Sequence, residues 1–157
     1  MALVYLGLGT NLGEKERNLN EAMLHINTET GQVIRQSSFY HSLPWGYASV
    51  NHFLNAVILI NTHFTPEELL AELKTIERKM GRKAKTDDKY TDRIIDIDIL
   101  LYENRIITAP GLVIPHPHIP LRDFVLIPFA EIAPEIIHPA LGKTILELKE
   151  ELILHRS

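Results

Sequence analysis

Residues 53–81 set the tightest limit on the fold, because two elements of opposite periodicity meet there with little chain between them. Phe53–Ile60, FLNAVILI, is an apolar run of strand length. Thr65-Pro66-Glu67-Glu68 follows almost at once. Threonine is an N-cap, proline needs no N–H at the first helical position, and a glutamate three residues on returns the capping bond. The helix so started carries Leu69, Leu70, Leu73, Ile76 and Met80 on one face, and Gly81 suits its stop.

The neighbouring segments extend this unit on both sides. Leu3–Leu8 is a short apolar run ending in Gly7-Leu8-Gly9 and predicts a buried first strand. A helix from about Glu14 to Asn27 has Leu19, Met23 and Ile26 on one stripe. Gln32–Tyr40 reads as a second strand with Val33, Phe39 and Tyr40 as its apolar members. Ser42-Leu43-Pro44-Trp45-Gly46 then interrupts regular structure. Arg82–Arg93 is a polar loop of mixed charge, and Ile94–Tyr102 is a fourth strand. The order β-α-β-β-α-β predicts an α+β fold, a ferredoxin-like antiparallel sheet with helices packed on it. The proline-rich remainder holds extra C-terminal short helices, around Leu121–Ile132 and Thr144–Leu152, that cover the sheet. With 157 residues, the chain predicts a single domain over 1–157.

Composition removes several classes of function. There is no cysteine, which excludes disulfides, thiolate metal sites and cysteine nucleophiles. A net charge of −4 argues against a nucleic-acid partner. No apolar run approaches the roughly 18 residues of a membrane span, and MALVYLGLGTNLG lacks the parts of a signal peptide. A cytoplasmic protein acting on small molecules, with no membrane partner, is the expectation.

The chemistry concentrates in Ile94–Tyr102. Side chains alternate across a strand, so Asp96 and Asp98 share one face, about 6.6 Å apart, while Ile95, Ile97, Ile99 and Leu101 take the other. Two carboxylates side by side repel each other and resist desolvation, and a divalent cation removes both costs. Oxygen ligands at this spacing suit Mg²⁺, which takes its remaining oxygens from water and phosphate. A solvated strand face is the alternative. Arg82, Lys83, Lys85, Lys89 and Arg93 precede the pair, interleaved with Asp87, Asp88 and Asp92. Such a loop could grip a triphosphate or be plain surface.

Two phosphate motifs fail. Gly7-Leu8-Gly9-Thr10-Asn11-Leu12-Gly13 has its last glycine one residue late for a dinucleotide fingerprint, and Gly142-Lys143-Thr144 has Ile137 where a P-loop needs glycine. His116-Pro117-His118 lacks the partners of a zinc site; His116 near Arg122 is better read as a phosphate or substrate contact, with a plain surface position the alternative for either histidine. Trp45, Phe53 and Phe124 are candidates to sandwich a flat ligand, with Asn55 on the same strand face as Phe53 to meet a heterocycle edge. Core positions are the alternative for both phenylalanines.

Several blocks occur in one order: Gly9-Thr10-Asn11-Leu12-Gly13, Ser37-Ser38-Phe39-Tyr40, Phe53-Leu54-Asn55-Ala56, Ile76-Glu77 with Gly81-Arg82, Arg93-x-x-Asp96-Ile97-Asp98-Ile99-Leu100, Pro115-His116 and Glu131-Ile132-Ala133-Pro134-Glu135. Together, over about residues 3–150, they resemble the 6-hydroxymethyl-7,8-dihydropterin pyrophosphokinase family of folate biosynthesis. The resemblance implies a ferredoxin-like domain that transfers pyrophosphate from ATP to the pterin hydroxymethyl group and releases AMP. It implies that Asp96 and Asp98 hold two Mg²⁺ ions and that Arg82 and Arg93 neutralise the transferred group. Lys85, His116 and Arg122 would be further phosphate contacts, with Leu70, Glu77 and Ile99 around the nucleotide. Ser42 and Asn55 would read the pterin edge, Phe53 and Phe124 would enclose its ring, and Leu43 and Trp45 would complete the site. A monomer is expected. The chain departs from the family pattern at Thr91-Asp92, where Gly-Pro is usual, and at Tyr90, Leu43, Phe53 and Gly111.

Two other readings explain less. A ferredoxin-like metabolite-binding module accounts for the strand order but gives no reason for the paired aspartates with Arg82, Arg93 and Arg122. A D-x-D nucleotidyl- or glycosyltransferase needs a larger nucleotide-binding domain than 157 residues supply.

Overall fold

The computed structural model describes residues 1–44, 51–81 and 94–156. Among these residues, seven strands and four helices follow in the order β1 (Ala2–Thr10), α1 (Lys15–Glu29), β2 (Gly31–Gln36), β3 (Tyr40–Ser42), β4 (Phe53–Thr62), α2 (Pro66–Lys79), β5 (Asp96–Tyr102), β6 (Ile107–Ala109), β7 (Leu112–Ile114), α3 (Asp123–Ile132) and α4 (Ile145–Arg156), with a 3-10 turn at Ile119–Leu121. The main sheet is antiparallel in the order β2-β4-β1-β5, and β3 also pairs with β4. Each helical crossover therefore skips one strand, the split β-α-β arrangement of the ferredoxin-like fold. No helix among the described residues is long and apolar enough to cross a membrane.

The sheet has two apolar faces. One carries Val4, Leu6, Leu8, Ala56, Ile58, Ile60, Ile97 and Ile99 against Leu19 and Ile26 of α1 and Leu69, Leu73 and Ile76 of α2. The other carries Tyr5, Val57, Leu59, Leu100 and Leu101 against Leu126 and Phe129 of α3 and Ile145 and Leu148 of α4, with the Tyr5 and Phe129 ring centroids 4.9 Å apart. A strand buried on both faces has to be apolar throughout, which is why β4 reads FLNAVILINT without alternation. Helix α2 starts as its sequence requires: Thr65 Oγ1 accepts from the Glu68 N–H at 3.2 Å and Glu68 Oε1 from the Thr65 N–H at 2.9 Å. That reciprocal cap contributes about 1 kcal/mol.

Three local expectations are corrected. The single Gln32–Tyr40 strand is two pieces, β2 and β3, along the same edge of β4. Ser37 causes the break: its hydroxyl accepts the Val57 N–H at 2.9 Å in place of a backbone carbonyl, a local substitution serine makes readily. In β5 a bulge opposite Tyr5 and Leu6 shifts the register, so Leu101 lies with Leu100 on the α3/α4 side and not with Ile97 and Ile99. The segment after β5 also contains the β6–β7 hairpin, which the proline-rich reading omits.

Candidate active site

The α3/α4 cover does not extend over the whole second face. Beyond it, the register puts Asn55, Gly9 and Asp96 side by side in one row across β4, β1 and β5, and Val57, Gly7 and Asp98 in the next. Neighbouring strands lie about 4.8 Å apart, so Asn55 and Asp96 face each other across about 10 Å of backbone. Glycine makes the floor between them. A Cβ at Gly9 would stand 3.3 Å from Asn55 Oδ1 and 3.4 Å from Phe53 Cδ1, so the missing side chain keeps a flat space beside an amide and a ring. Asp96 and Asp98 border that space half-buried.

Asn55 is 4% exposed, and its amide is oriented by two bonds. Nδ2 donates to the Tyr40 carbonyl at 3.1 Å and to Ser42 Oγ at 2.8 Å. Both donors are thereby committed, and the carbonyl oxygen stands over Gly9, where it can read an N–H. Strand β3, which supplies both acceptors, is tied to α3 through Glu131. That carboxylate accepts from the Ser38 N–H and hydroxyl at 2.9 Å each and from the Tyr40 hydroxyl at 2.8 Å. The Glu131 bond holds the Tyr40 hydroxyl above its ordinary pKa. Sequence reasoning assigned Glu131 no role, although it falls within the ordered blocks. Leu43 is exposed and Ser42 half-buried at this end.

On the other side of the floor, β5 is an edge strand, and α2 satisfies its outer backbone. Glu77, 6% exposed, accepts the Ile97 N–H through Oε2 at 2.8 Å. Ile97 sits between the two aspartates, so this bond fixes the backbone that aims both. Ile99 packs on the α1/α2 face with Leu70 against the same cluster, and strand alternation turns its backbone groups to the outer edge beside Ile97.

A third wall comes from the chain after β7. The His116 N–H donates to the Leu100 carbonyl at 3.0 Å, bringing the imidazole Nε2 to 3.9 Å from Asp98 Oδ2. His116 Nδ1 accepts the His118 N–H at 3.2 Å, so a neutral ring carries its proton on Nε2, the nitrogen turned to Asp98. Burial chiefly, with the positive charges of Arg122 and His118 against the pull of Asp96, pushes the His116 pKa down to about 4. At neutral pH His116 is therefore an uncharged donor. Arg122 lies 2.9 Å through Nη2 from His118 Nδ1, with its guanidinium 5.5 Å from the Phe124 ring centroid.

The structure thus brings Asn55, Ser42 and Phe53 to one side of the glycine floor, Asp96, Asp98 and His116 to the other, and Arg122 with Phe124 to the start of α3. Trp45, Arg82, Lys85 and Arg93 lie outside the described residues. Among the described residues no three metal-ligating side chains converge. A cation held by Asp96 and Asp98 would draw its other ligands from water and ligand oxygens, the arrangement Mg²⁺ adopts with nucleotide phosphates.

Comparison with known proteins places the chain by sequence and by fold. Residues 5–134 match the family model described as 7,8-dihydro-6-hydroxymethylpterin-pyrophosphokinase (HPPK). The 2-amino-4-hydroxy-6-hydroxymethyldihydropteridine pyrophosphokinase of Aquifex aeolicus is 40% identical over 151 residues, 96% of this chain and 92% of that protein. Its namesake from Porphyromonas gingivalis is 41% identical over 141 residues, 88% and 95% of the two chains. In fold, the chain is similar to an HPPK-DHPS solved in complex with substrates, with a TM-score of 0.81 at 16% identity over 98% of this chain and 44% of that one. Plasmodium falciparum HPPK-DHPS gives 0.79 at 17% identity, again spanning less than half of the longer chain, 45%.

Proposed function

The chain belongs to the 7,8-dihydro-6-hydroxymethylpterin pyrophosphokinase family, and from that membership we propose how its own residues divide the work. The enzyme is an ATP-dependent diphosphotransferase that moves pyrophosphate from ATP to the hydroxymethyl group of the dihydropterin in folate synthesis. The hydroxymethyl oxygen forms a bond to the β-phosphorus, the bond from that phosphorus to the α,β-bridging oxygen breaks, and AMP leaves with the electron pair while the hydroxyl proton is lost.

The paired half-buried carboxylates beside a side-chain-free floor carry the assignment. Asp96 and Asp98 would hold two Mg²⁺ ions, which would supply charge neutralisation for the transfer. The pterin lies over Gly9. Asn55 Oδ1 accepts from its N–H edge beside Ser42, Phe53 and Phe124 enclose the ring, and Leu43 and Trp45 close the slot. Excluding water there strengthens each of these contacts. His116 donates Nε2–H and Arg122 its guanidinium to phosphate oxygens, joined by Lys85, and Arg82 and Arg93 neutralise the transferred group. Leu70, Glu77 and Ile99 border the nucleotide along β5. Positioning and charge neutralisation suffice for this chemistry, so no protein nucleophile is needed. The protein works as a single domain over 1–157, a cytoplasmic monomer on small-molecule substrates without nucleic acid, a reading that its charge of −4 supports.

Phosphorus NMR of the protein with Mg²⁺-ATP and hydroxymethyl-dihydropterin tests the assignment. AMP and a pterin diphosphate are the expected products, and Asp98→Ala should slow their formation by at least about 100-fold. ADP as the product, or an Asp98→Ala protein within tenfold of the parent, would remove the aspartates from this role.

A further inference from the structure

His118 has no part in the division of roles above, yet it touches both groups assigned to the phosphates. Its backbone N–H donates to His116 Nδ1 at 3.2 Å. Its own Nδ1 lies 2.9 Å from Arg122 Nη2. Arginine has only donors, so Nδ1 of His118 is the acceptor and its proton sits on Nε2. The two imidazoles meet edge to face, with centroids 5.5 Å apart at 61°. The spacing from 118 to 122 comes from the 3-10 turn between them, in which the Leu121 N–H donates to the His118 carbonyl at 3.0 Å and the Ile119 N–H to that of His116 at 3.3 Å. One short turn therefore carries a relay of hydrogen bonds from His116 through His118 to Arg122.

From this relay we infer that His118 is a positioning residue for ATP binding. Its backbone sets the tautomer of His116, and its imidazole holds the Arg122 guanidinium at the phosphate side of the site. The inference rests on the phosphate role given above to Arg122. A long guanidinium samples many rotamers, and a fixed acceptor favours those that reach it. The Phe124 ring restrains the flat face of the cation but accepts no in-plane N–H, so it does not replace the bond to His118. Burial and the adjacent guanidinium lower the pKa of His118, which keeps Nδ1 available as an acceptor. Among the described residues, the charged and titratable groups that face it include Arg122 on the C-terminal side of the turn and His116 in front, with Asp98 beyond His116. Only residues that accept at the position of Nδ1 can substitute. Asparagine does so through Oδ1, while alanine keeps the backbone N–H and loses the imidazole.

The test is a set of substitutions read by the KM values for ATP and pterin and by kcat. His118→Ala should raise the KM for ATP about tenfold and leave the KM for the pterin within twofold. His118→Asn should recover most of that loss. In double-mutant cycles, His118→Ala should add nothing to Arg122→Ala, because the residue it orients is gone, and should add fully to His116→Ala, because alanine at 118 keeps the N–H that His116 uses. A His118→Ala protein with unchanged KM for ATP, beside an Arg122→Ala protein that is impaired, overturns the inference and leaves the phosphate role of Arg122 standing. An Arg122→Ala protein with unchanged KM overturns both. Equal loss for ATP and pterin, with no rescue by asparagine, would show that His118 merely supports the fold, and that result also refutes the inference.

Discussion

Replacing Gly9 by alanine separates the fold from the ligand slot, because the same methyl group has opposite effects on the two. In the folded chain it would meet Asn55 Oδ1 at 3.3 Å, Phe53 Cδ1 at 3.4 Å and Phe53 Cε1 at 3.8 Å. The first two contacts are tight by a few tenths of an ångström, and the Phe53 ring that must shift is only half-buried. Against that crowding, alanine within a strand recovers about 0.5–1 kcal/mol of the conformational entropy that glycine loses on folding. The two terms nearly cancel, so stability should stay within about 1 kcal/mol of the parent.

Ligand binding has no such offset. A methyl on the floor lifts a planar ring and shifts Phe53, losing about 1 kcal/mol of stacking. It also crowds the Asn55 oxygen, weakening a hydrogen bond worth about 1 kcal/mol. Together, about 2 kcal/mol corresponds to roughly 30-fold weaker pterin binding. Calorimetric titration of the pterin in the presence of Mg²⁺ and a non-hydrolysable ATP analogue measures this, and titration of the analogue alone serves as the control. A pterin affinity within threefold of the parent, in a protein that melts normally, would refute the floor as the pterin site. A parallel loss of nucleotide affinity would refute the division of the site into two halves.

Two further positions probe what supports the fold. Glu77→Ala removes the acceptor from the buried Ile97 N–H and should cost about 1–3 kcal/mol in urea unfolding; Glu77→Gln keeps an oxygen there and should lose less than half as much. An alanine protein as stable as the parent would dismiss the bond as a support of β5. His138, 5% exposed, accepts the Ala140 and Leu141 N–H groups through Nδ1 at 3.2 and 3.1 Å, and burial lowers its pKa from 6.5. Because the folded state resists protonation there, the unfolded chain binds more protons below pH 6.5. Stability is therefore full above that pH and falls as the pH drops towards the folded value, by up to about 1.4 kcal/mol per unit. His138→Asn, which still accepts, should flatten this part of the stability profile in urea melts from pH 7.5 to 5. An unchanged slope would mean that other groups carry it.

How far the sequence discloses such a site depends on whether the responsible contact is local. Asp96 and Asp98 are legible because a strand repeats every two residues, and the capped start of α2 because threonine and glutamate meet within one turn. The ferredoxin-like order follows from such local signals in sequence. What they miss is set by partners distant along the chain. Ser37 breaks a strand because Val57 N–H reaches its hydroxyl from 20 residues away. Glu131 orders β3 from 93 and 91 residues away. Glu77 serves Ile97 only after a helix and an edge strand have packed together. None of these has a period or a spacing to detect, and a buried carboxylate on an otherwise amphipathic helix looks like one polar residue among many. The face of the aspartates could be read from alternation, but their aim could not. The direction in which a carboxylate points depends on the backbone beneath it, and in β5 that backbone is held by a side chain from another element.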